Sequence, residues 1–147
     1  MLLPTMLLVE DSQNDVLLIE RAVKQASLAA SLAVARDGDA AVEYLSGAGP
    51  YADRQRHPLP ILVLLDLKLP RRSGLEVLEW QRQQPGLRRL PVAVLTSSNQ
   101  MADVNRAYDL GANSYLVKPV APGAMLDLVK LLGLYWLVVN EKPGLQP

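Results

Sequence analysis

The sequence predicts an α/β fold with a doubly wound, five-stranded parallel sheet, because strand-like and helix-like patterns alternate five times and most of the strand-like runs are continuously apolar. A further observation bears on strand order. Acidic residues close the first and third runs, and in the order 2-1-3-4-5 these strands are neighbours at the topological switch point, where open α/β sheets bind ligands.

The first run, Met6 to Val9, ends at Glu10 and Asp11. After it Val16, Ile19, Val23 and Ala26 recur at i, i+3, i+7 and i+10, one buried stripe that leaves Glu20, Arg21 and Lys24 outside. Leu32 to Ala35 is the second run, and Asp37-Gly38-Asp39 offers a turn and an N-cap to a helix from Ala40 to Leu45. Gly47 to Pro60 carries proline and arginine and is long for a crossover, so it is expected on the surface as a feature of a subfamily. The third run, Ile61 to Leu65, ends at Asp66; the fourth, Val92 to Leu95, ends at Thr96-Ser97. Gly111 follows the Met101 to Leu110 pattern where a helix C-terminus favours a left-handed residue. Tyr115 to Val117 is the fifth run, closed by Lys118, and the last helical pattern continues to Trp136. There is no internal repeat.

Composition narrows the function. With 147 residues, 50% of them hydrophobic, the chain reads as one compact domain, its core about 5–137 and a C-terminal tail 138–147. The formal net charge of +0 argues against nucleic-acid and anionic-membrane partners, and Arg71-Arg72 and Arg88-Arg89 are too sparse to reverse that. The absence of cysteine excludes disulfides, thiolate catalysis and cysteine metal sites. No segment is long enough to span a membrane, the N-terminus lacks a leader pattern, and a cytoplasmic protein is expected.

One acid at a strand end is an ordinary solvated terminus, Thr96 alone a cap, and Lys118 alone a surface charge. Together Glu10, Asp11, Asp66, Thr96 and Lys118 form a constellation on one sheet edge. Carboxylates brought close repel, and a divalent cation relieves the repulsion; oxygen donors from Asp11, Asp66 and a backbone carbonyl suit magnesium. Zinc would prefer His or Cys, and the single histidine, His57, lies in the arginine-bearing loop, where solvated surface is the expectation. The set points to phosphoryl chemistry on Mg2+.

At these residues the chain resembles the receiver domain of two-component response regulators over nearly its whole length. The match runs in order: the acid pair Glu10-Asp11, the aspartate Asp66 in Leu64-Leu65-Asp66-Leu67-Lys68-Leu69-Pro70, Gly74 after it, Thr96, and Lys118-Pro119. The resemblance implies that Asp66 accepts a phosphoryl group from a sensor histidine kinase in a Mg2+-dependent reaction. It implies that Asp11 and Asp66 bind the ion directly, with the carbonyl of Lys68, while Glu10 reaches it through water. Lys118 would pair with Asp66 and then with a phosphoryl oxygen, and Thr96 would donate its hydroxyl to another. Pro119 is expected in the cis form, which turns the lysine inward. Such a protein is no enzyme in the ordinary sense, since it catalyses only its own modification and its reversal.

Tyr115 has two readings: the aromatic that receivers turn inward on activation, or ordinary core in a buried strand. In the first, Thr96, Tyr115 and the Met101 to Leu110 helix form a switch face that signals together with strand five and helix five. Lys68 and Ser97 depart from commoner receivers at positions tied to phosphoryl lifetime. No effector module follows, so a stand-alone receiver is expected.

The last helix carries two apolar stripes. Met125, Val129, Leu132 and Trp136 suffice for the sheet; Leu128, Leu131, Tyr135 and Val138 form a second, which predicts a homodimer through this helix and the tail unless the tail covers it. The Leu134 to Val139 ending and the long Gly47 to Pro60 loop resemble the small receivers paired with phytochrome-type histidine kinases. Two rivals stand beside this reading. A hydrolase of the haloacid-dehalogenase type wants an acid where Lys68 stands and a larger chain, and a phosphorylation-independent dimeric adaptor would not need the intact acid set.

Overall fold

The computed structural model describes residues 3–145. Ten elements alternate as β1 (Thr5–Val9), α1 (Gln13–Gln25), β2 (Ser31–Ala35), α2 (Gly38–Ser46), β3 (Leu62–Leu65), α3 (Gly74–Gln83), β4 (Val92–Thr96), α4 (Met101–Asp109), β5 (Ser114–Val117) and α5 (Ala124–Gly133). All strand pairs are parallel, in the order β2-β1-β3-β4-β5.

The apolar runs are continuous because the sheet is covered on both faces, and successive residues serve opposite layers. Leu7, Val9, Val63, Leu65, Val92 and Val94 pack against Ala41, Tyr44 and Leu45 of α2, Val77 and Leu78 of α3, and Ala107 of α4. Met6, Leu8, Leu62, Leu64, Ala93 and Leu95 pack against Val16 and Ile19 of α1 and Met125, Val129 and Leu132 of α5. The edge strands depart from the rule: the first residues of β2 are exposed or half-buried, and β5 is half-buried with Val117 exposed.

Local chemistry sets the helix ends. The Ser12 hydroxyl accepts from the Asp15 amide at the start of α1, and the Asp37 carboxylate caps α2 by accepting from the Ala40 amide. Ser73 and Glu76 form a reciprocal capping box on α3. Gly111 takes a positive φ of 101° just after α4, as expected. The buried stripe of α1 is Val16, Ile19 and Ala22, with Val23 and Ala26 half-buried against the same core at the C-terminal end of the helix.

The Gly47 to Pro60 segment is tethered more firmly than a solvated loop. Arg54 donates to the carbonyls of Tyr44 and Leu45 at the end of α2 (2.7 and 2.8 Å) and to that of His57. His57 is half-buried, packed edge-on against Tyr44 and Tyr51, which corrects the expectation of a solvated side chain.

After α5 the backbone widens into a π-helical turn over Leu134–Val139. The inner stripe packs as expected, with Met125, Val129 and Leu132 buried and Trp136 half-buried against the same core. The outer stripe stays open: Leu128 is half-buried, but Leu131 is 65%, Tyr135 50% and Val138 74% exposed. The tail runs beside the stripe without covering it: Asn140, Glu141 and Pro143 line one groove with Leu128, Leu131 and Tyr135, and Leu145 goes on to pack near Pro60 and Leu90 at the starts of β3 and β4. None of the described helices is long and apolar enough to cross a membrane.

Candidate functional site

The strand registers assemble the site. Val9 pairs with Leu65, so the next residues, Glu10 and Asp66, leave their strands side by side; the Asp66 amide donates to the Val9 carbonyl (3.0 Å) and the Glu10 amide to that of Ala35 (2.9 Å). On the other flank Leu65 pairs with Val94 and Thr96 with Val117, and the Lys118 amide donates to the Thr96 carbonyl (2.7 Å). Glu10, Asp66, Thr96 and Lys118, distant in sequence, thus converge on one sheet edge, with Asp11 next to Glu10, and no long loop is needed to place them.

At the centre lies Asp66, 6% exposed. One of its oxygens, Oδ1, accepts from the Thr96 hydroxyl (2.7 Å) and the Lys68 amide (3.3 Å); the other, Oδ2, accepts from Lys118 Nζ (2.9 Å). Gly74 lies directly above, where a Cβ would sit 2.1 Å from the Asp66 carbonyl oxygen, so no side chain fits. Glu10 is 1% exposed, with Oε1 at 2.5 Å from Lys118 Nζ and Oε2 accepting from the Ser12 amide. Asp11 is exposed at the mouth. Carboxylate oxygens of Glu10, Asp11 and Asp66 all lie within 4.8 Å of one another, an all-oxygen set that fits a hard divalent cation and no softer metal.

Burial and charge split the carboxylates. Burial, helped by the neighbouring Asp66 charge, holds the Glu10 carboxyl up at about 7 despite the Lys118 hydrogen bond. Burial pushes Asp66 up as well, but hydrogen bonds from Lys118 and Thr96 outweigh it and hold Asp66 below the usual carboxylate range. Lys118 is driven above the usual lysine range, because its carboxylate hydrogen bonds overcome the cost of burial. A site that keeps one acid ionised beside a protonated neighbour is poised to take a cation in exchange for a proton.

The Lys118-Pro119 bond is trans, which corrects the expected cis form. Lys118 Nζ already reaches its carboxylates in the trans form, so nothing in the site offsets the ordinary trans preference of about 0.5–1 kcal/mol. Tyr115 is half-buried against the α2-α3-α4 layer, and its hydroxyl donates to the Ser98 carbonyl (2.9 Å), which ties β5 to the segment after β4. Asp15 was not singled out by sequence reasoning, yet its Oδ2 is 2.7 Å from Lys118 Nζ. Its only sequence signal is an acid three residues after Ser12, the ordinary place for a first-turn acid behind an N-cap.

Comparison with known proteins agrees with this geometry. Residues 6–130 match the family described as the response regulator receiver domain. The chain belongs to that family. It is 39% identical over 138 residues to response regulator Rcp1 of Synechocystis sp., covering 94% of this chain and 92% of Rcp1, and 40% identical over 141 residues to the probable methanogenesis regulatory protein FilR2 of Methanothrix harundinacea, covering 94% and 86%. The receiver superposes on the crystal structure of Mn2+-bound Rcp1 with a TM-score of 0.86 at 38% identity, covering 96% of this chain and 99% of that one. On the phosphorylated cyanobacterial phytochrome response regulator RcpA the TM-score is 0.89 at 35% identity, with 96% and 99% covered. As a member of the family the receiver serves phosphorylation-based two-component signalling and has a divalent-metal site.

Proposed function

We propose that Asp66 is the phosphoacceptor of this receiver, modified by a sensor histidine kinase in a Mg2+-dependent reaction. The observation that carries the reading is the Asp66 carboxylate itself: it is kept ionised, ends β3, and is held between Thr96 Oγ1 (2.7 Å) and Lys118 Nζ (2.9 Å) beside Glu10 and Asp11. An Asp66 oxygen attacks the phosphorus of a phosphohistidine; the P–O bond forms as the P–N bond breaks, and the imidazole leaves with the electron pair and takes up a proton. A bound Mg2+ would be held by Asp11, Asp66 and the Lys68 carbonyl, with Glu10 through water, and supplies charge neutralisation for the transferring group. Lys118 Nζ and the Thr96 hydroxyl lie within reach of Asp66 and can turn to phosphoryl oxygens once Asp66 is phosphorylated.

The transfer adds roughly −1.5 to −2 charge next to Thr96. Pulling Thr96 inward would disturb Ser98, to whose carbonyl Tyr115 is tied, and so re-pack the α4-β5-α5 face that signals. The kinase is of the phytochrome type, a choice supported by the likeness to RcpA, and the protein is a single cytoplasmic receiver. The open stripe of Leu131, Tyr135 and Val138 with Leu128 supports a homodimer through α5 and the tail.

The test is the intact mass of the protein and of Asp66→Asn after incubation with acetyl phosphate, with and without Mg2+. A gain of one phosphoryl group by the unmutated protein alone, and only with Mg2+, is expected. No gain, together with no binding of a beryllofluoride mimic, overturns the reading.

A further inference from the structure

An ammonium has three N–H donors, and those of Lys118 meet three carboxylates: Glu10 Oε1 at 2.5 Å, Asp15 Oδ2 at 2.7 Å and Asp66 Oδ2 at 2.9 Å. The lysine side chain is 11% exposed, so no water competes for these positions on equal terms. The three acceptors are not equivalent. Glu10 and Asp66 belong with Asp11 to the oxygen set that fits a cation, whereas Asp15 lies on the first turn of α1 outside that set. Asp66 is also the group to be phosphorylated. Loading the site draws Glu10 and Asp66 towards the metal and the phosphoryl group, and each such step takes an acceptor from Lys118.

We propose that Asp15 is a positioning residue: it retains the Lys118 ammonium when metal and phosphoryl group claim the other two carboxylates, and so keeps Nζ aimed at the phosphoryl oxygens during transfer. The inference rests on the phosphoacceptor reading of Asp66 and deepens it. Two features fit Asp15 for the task. Its backbone is fixed by the Ser12 cap, whose hydroxyl accepts from the Asp15 amide (3.3 Å). Its side chain is 28% exposed against 1% for Glu10 and 8% for Asp66, so it stands at the rim of the site, outside the oxygens that a cation would take. A lysine held by a carboxylate that takes no part in metal binding has a fixed pivot. One held only by Glu10 and Asp66 would compete with the metal for them.

Two measurements on Asp15→Asn and Asp15→Ala test this. The first does not depend on phosphoryl transfer: acylation of Lys118 by a water-soluble reagent in saturating Mg2+, followed by peptide mass, with the exposed Lys24 and Lys130 as internal references. Both variants should acylate at Lys118 about tenfold faster than the unmutated protein, the order expected for loss of one charge-assisted hydrogen bond. The second is the rate of modification by phosphoramidate, which should fall about fivefold in the variants and change less than about twofold on adding Asp15→Asn to a Lys118→Met background, since the effect runs through the lysine. Equal acylation of Lys118 in variant and unmutated protein overturns the inference, as does an equal slowing by Asp15→Asn with and without Lys118. If the unmutated protein takes up no phosphoryl group, the proposed function falls instead, while the acylation result still decides the role of Asp15.

Discussion

Magnesium binding should expel a proton from Glu10, and the effect can be sized from the surroundings of that side chain. Burial is the main cause that holds the Glu10 carboxyl at about 7 against an ordinary 4.5, a difference equivalent to about 3 kcal/mol. Between those two values the folded chain holds a proton that the unfolded chain has released, so stability falls as pH rises through the interval. Without Mg2+ the contribution is fully present below 4.5 and lost above 7. For a domain of this size the melting temperature should drop by about 5–10 °C between pH 5 and pH 7.5. A cation beside Glu10 favours its ionised form. Binding should then release roughly 0.9 proton at pH 6 and roughly 0.1 at pH 8, and apparent Mg2+ affinity should rise about tenfold across that range. Isothermal titration with Mg2+ in two buffers of different ionisation enthalpy reads the proton count, and Glu10→Gln should abolish it. Release below about 0.2 proton at pH 6, or release that persists in Glu10→Gln, would refute the reasoning.

Gly74→Ala drives a Cβ to 2.1 Å from the Asp66 carbonyl oxygen, a clash with backbone that cannot swing away, so about 1–3 kcal/mol of stability and most of the phosphorylation rate should be lost; urea unfolding and intact mass measure the two. Thr96→Val keeps the shape but removes the buried 2.7 Å hydrogen bond to Asp66, costing about 1 kcal/mol. That variant should still accept a phosphoryl group, but hydrogen exchange over α4 and β5 should no longer respond to modification. A double variant, Leu131→Glu with Val138→Glu, places charge on the open stripe without touching the core, and should shift the protein from dimer to monomer by sedimentation while phosphorylation is unchanged.

Much of the fold was legible because it is written in period and punctuation. Uninterrupted apolar runs such as Ile61 to Leu65 are what strands covered on both faces require, and the acids that stop the first and third runs mark the sheet edge. Hence Glu10, Asp11 and Asp66 come together as read, and Thr96 and Lys118 reach Asp66. What was not legible depends on distances that no local pattern encodes. Asp15 meets Lys118 across 103 residues of chain, and nothing near it distinguishes it from any other first-turn acid. His57 lies in a proline- and arginine-rich stretch that looks solvated; its burial follows from Arg54 fastening the loop to α2, a contact with no periodicity to announce it. Pro119 is the opposite case. There the resemblance implied a geometry that the ion pairs of Lys118 do not require.

The same registers that stabilise the sheet also set the chemistry, which ties the two together more closely than in a protein whose site sits on loops. Glu10 and Asp66 are each one residue beyond the Val9-Leu65 pair, and Lys118 is one beyond the Thr96-Val117 pair. A slip of one residue in the β1-β3 pairing would turn the buried Leu65 to the opposite layer and move a charged side chain by more than about 3 Å. The long apolar runs therefore do more than bury area. By making every slipped register expensive, they hold Glu10, Asp66 and Lys118 within hydrogen-bonding distance, where repulsion between the acids would otherwise drive them apart. The site concentrates like charge at the edge formed by the strand C-termini, and a proton on Glu10, an ammonium, or a divalent cation are alternative ways of relieving it. If Asp66 is the phosphoacceptor proposed above, exchange among these three would carry a chemical event there to β5 and α4, because each exchange would re-aim Lys118 or Thr96, and both side chains are fixed to strands next to those elements.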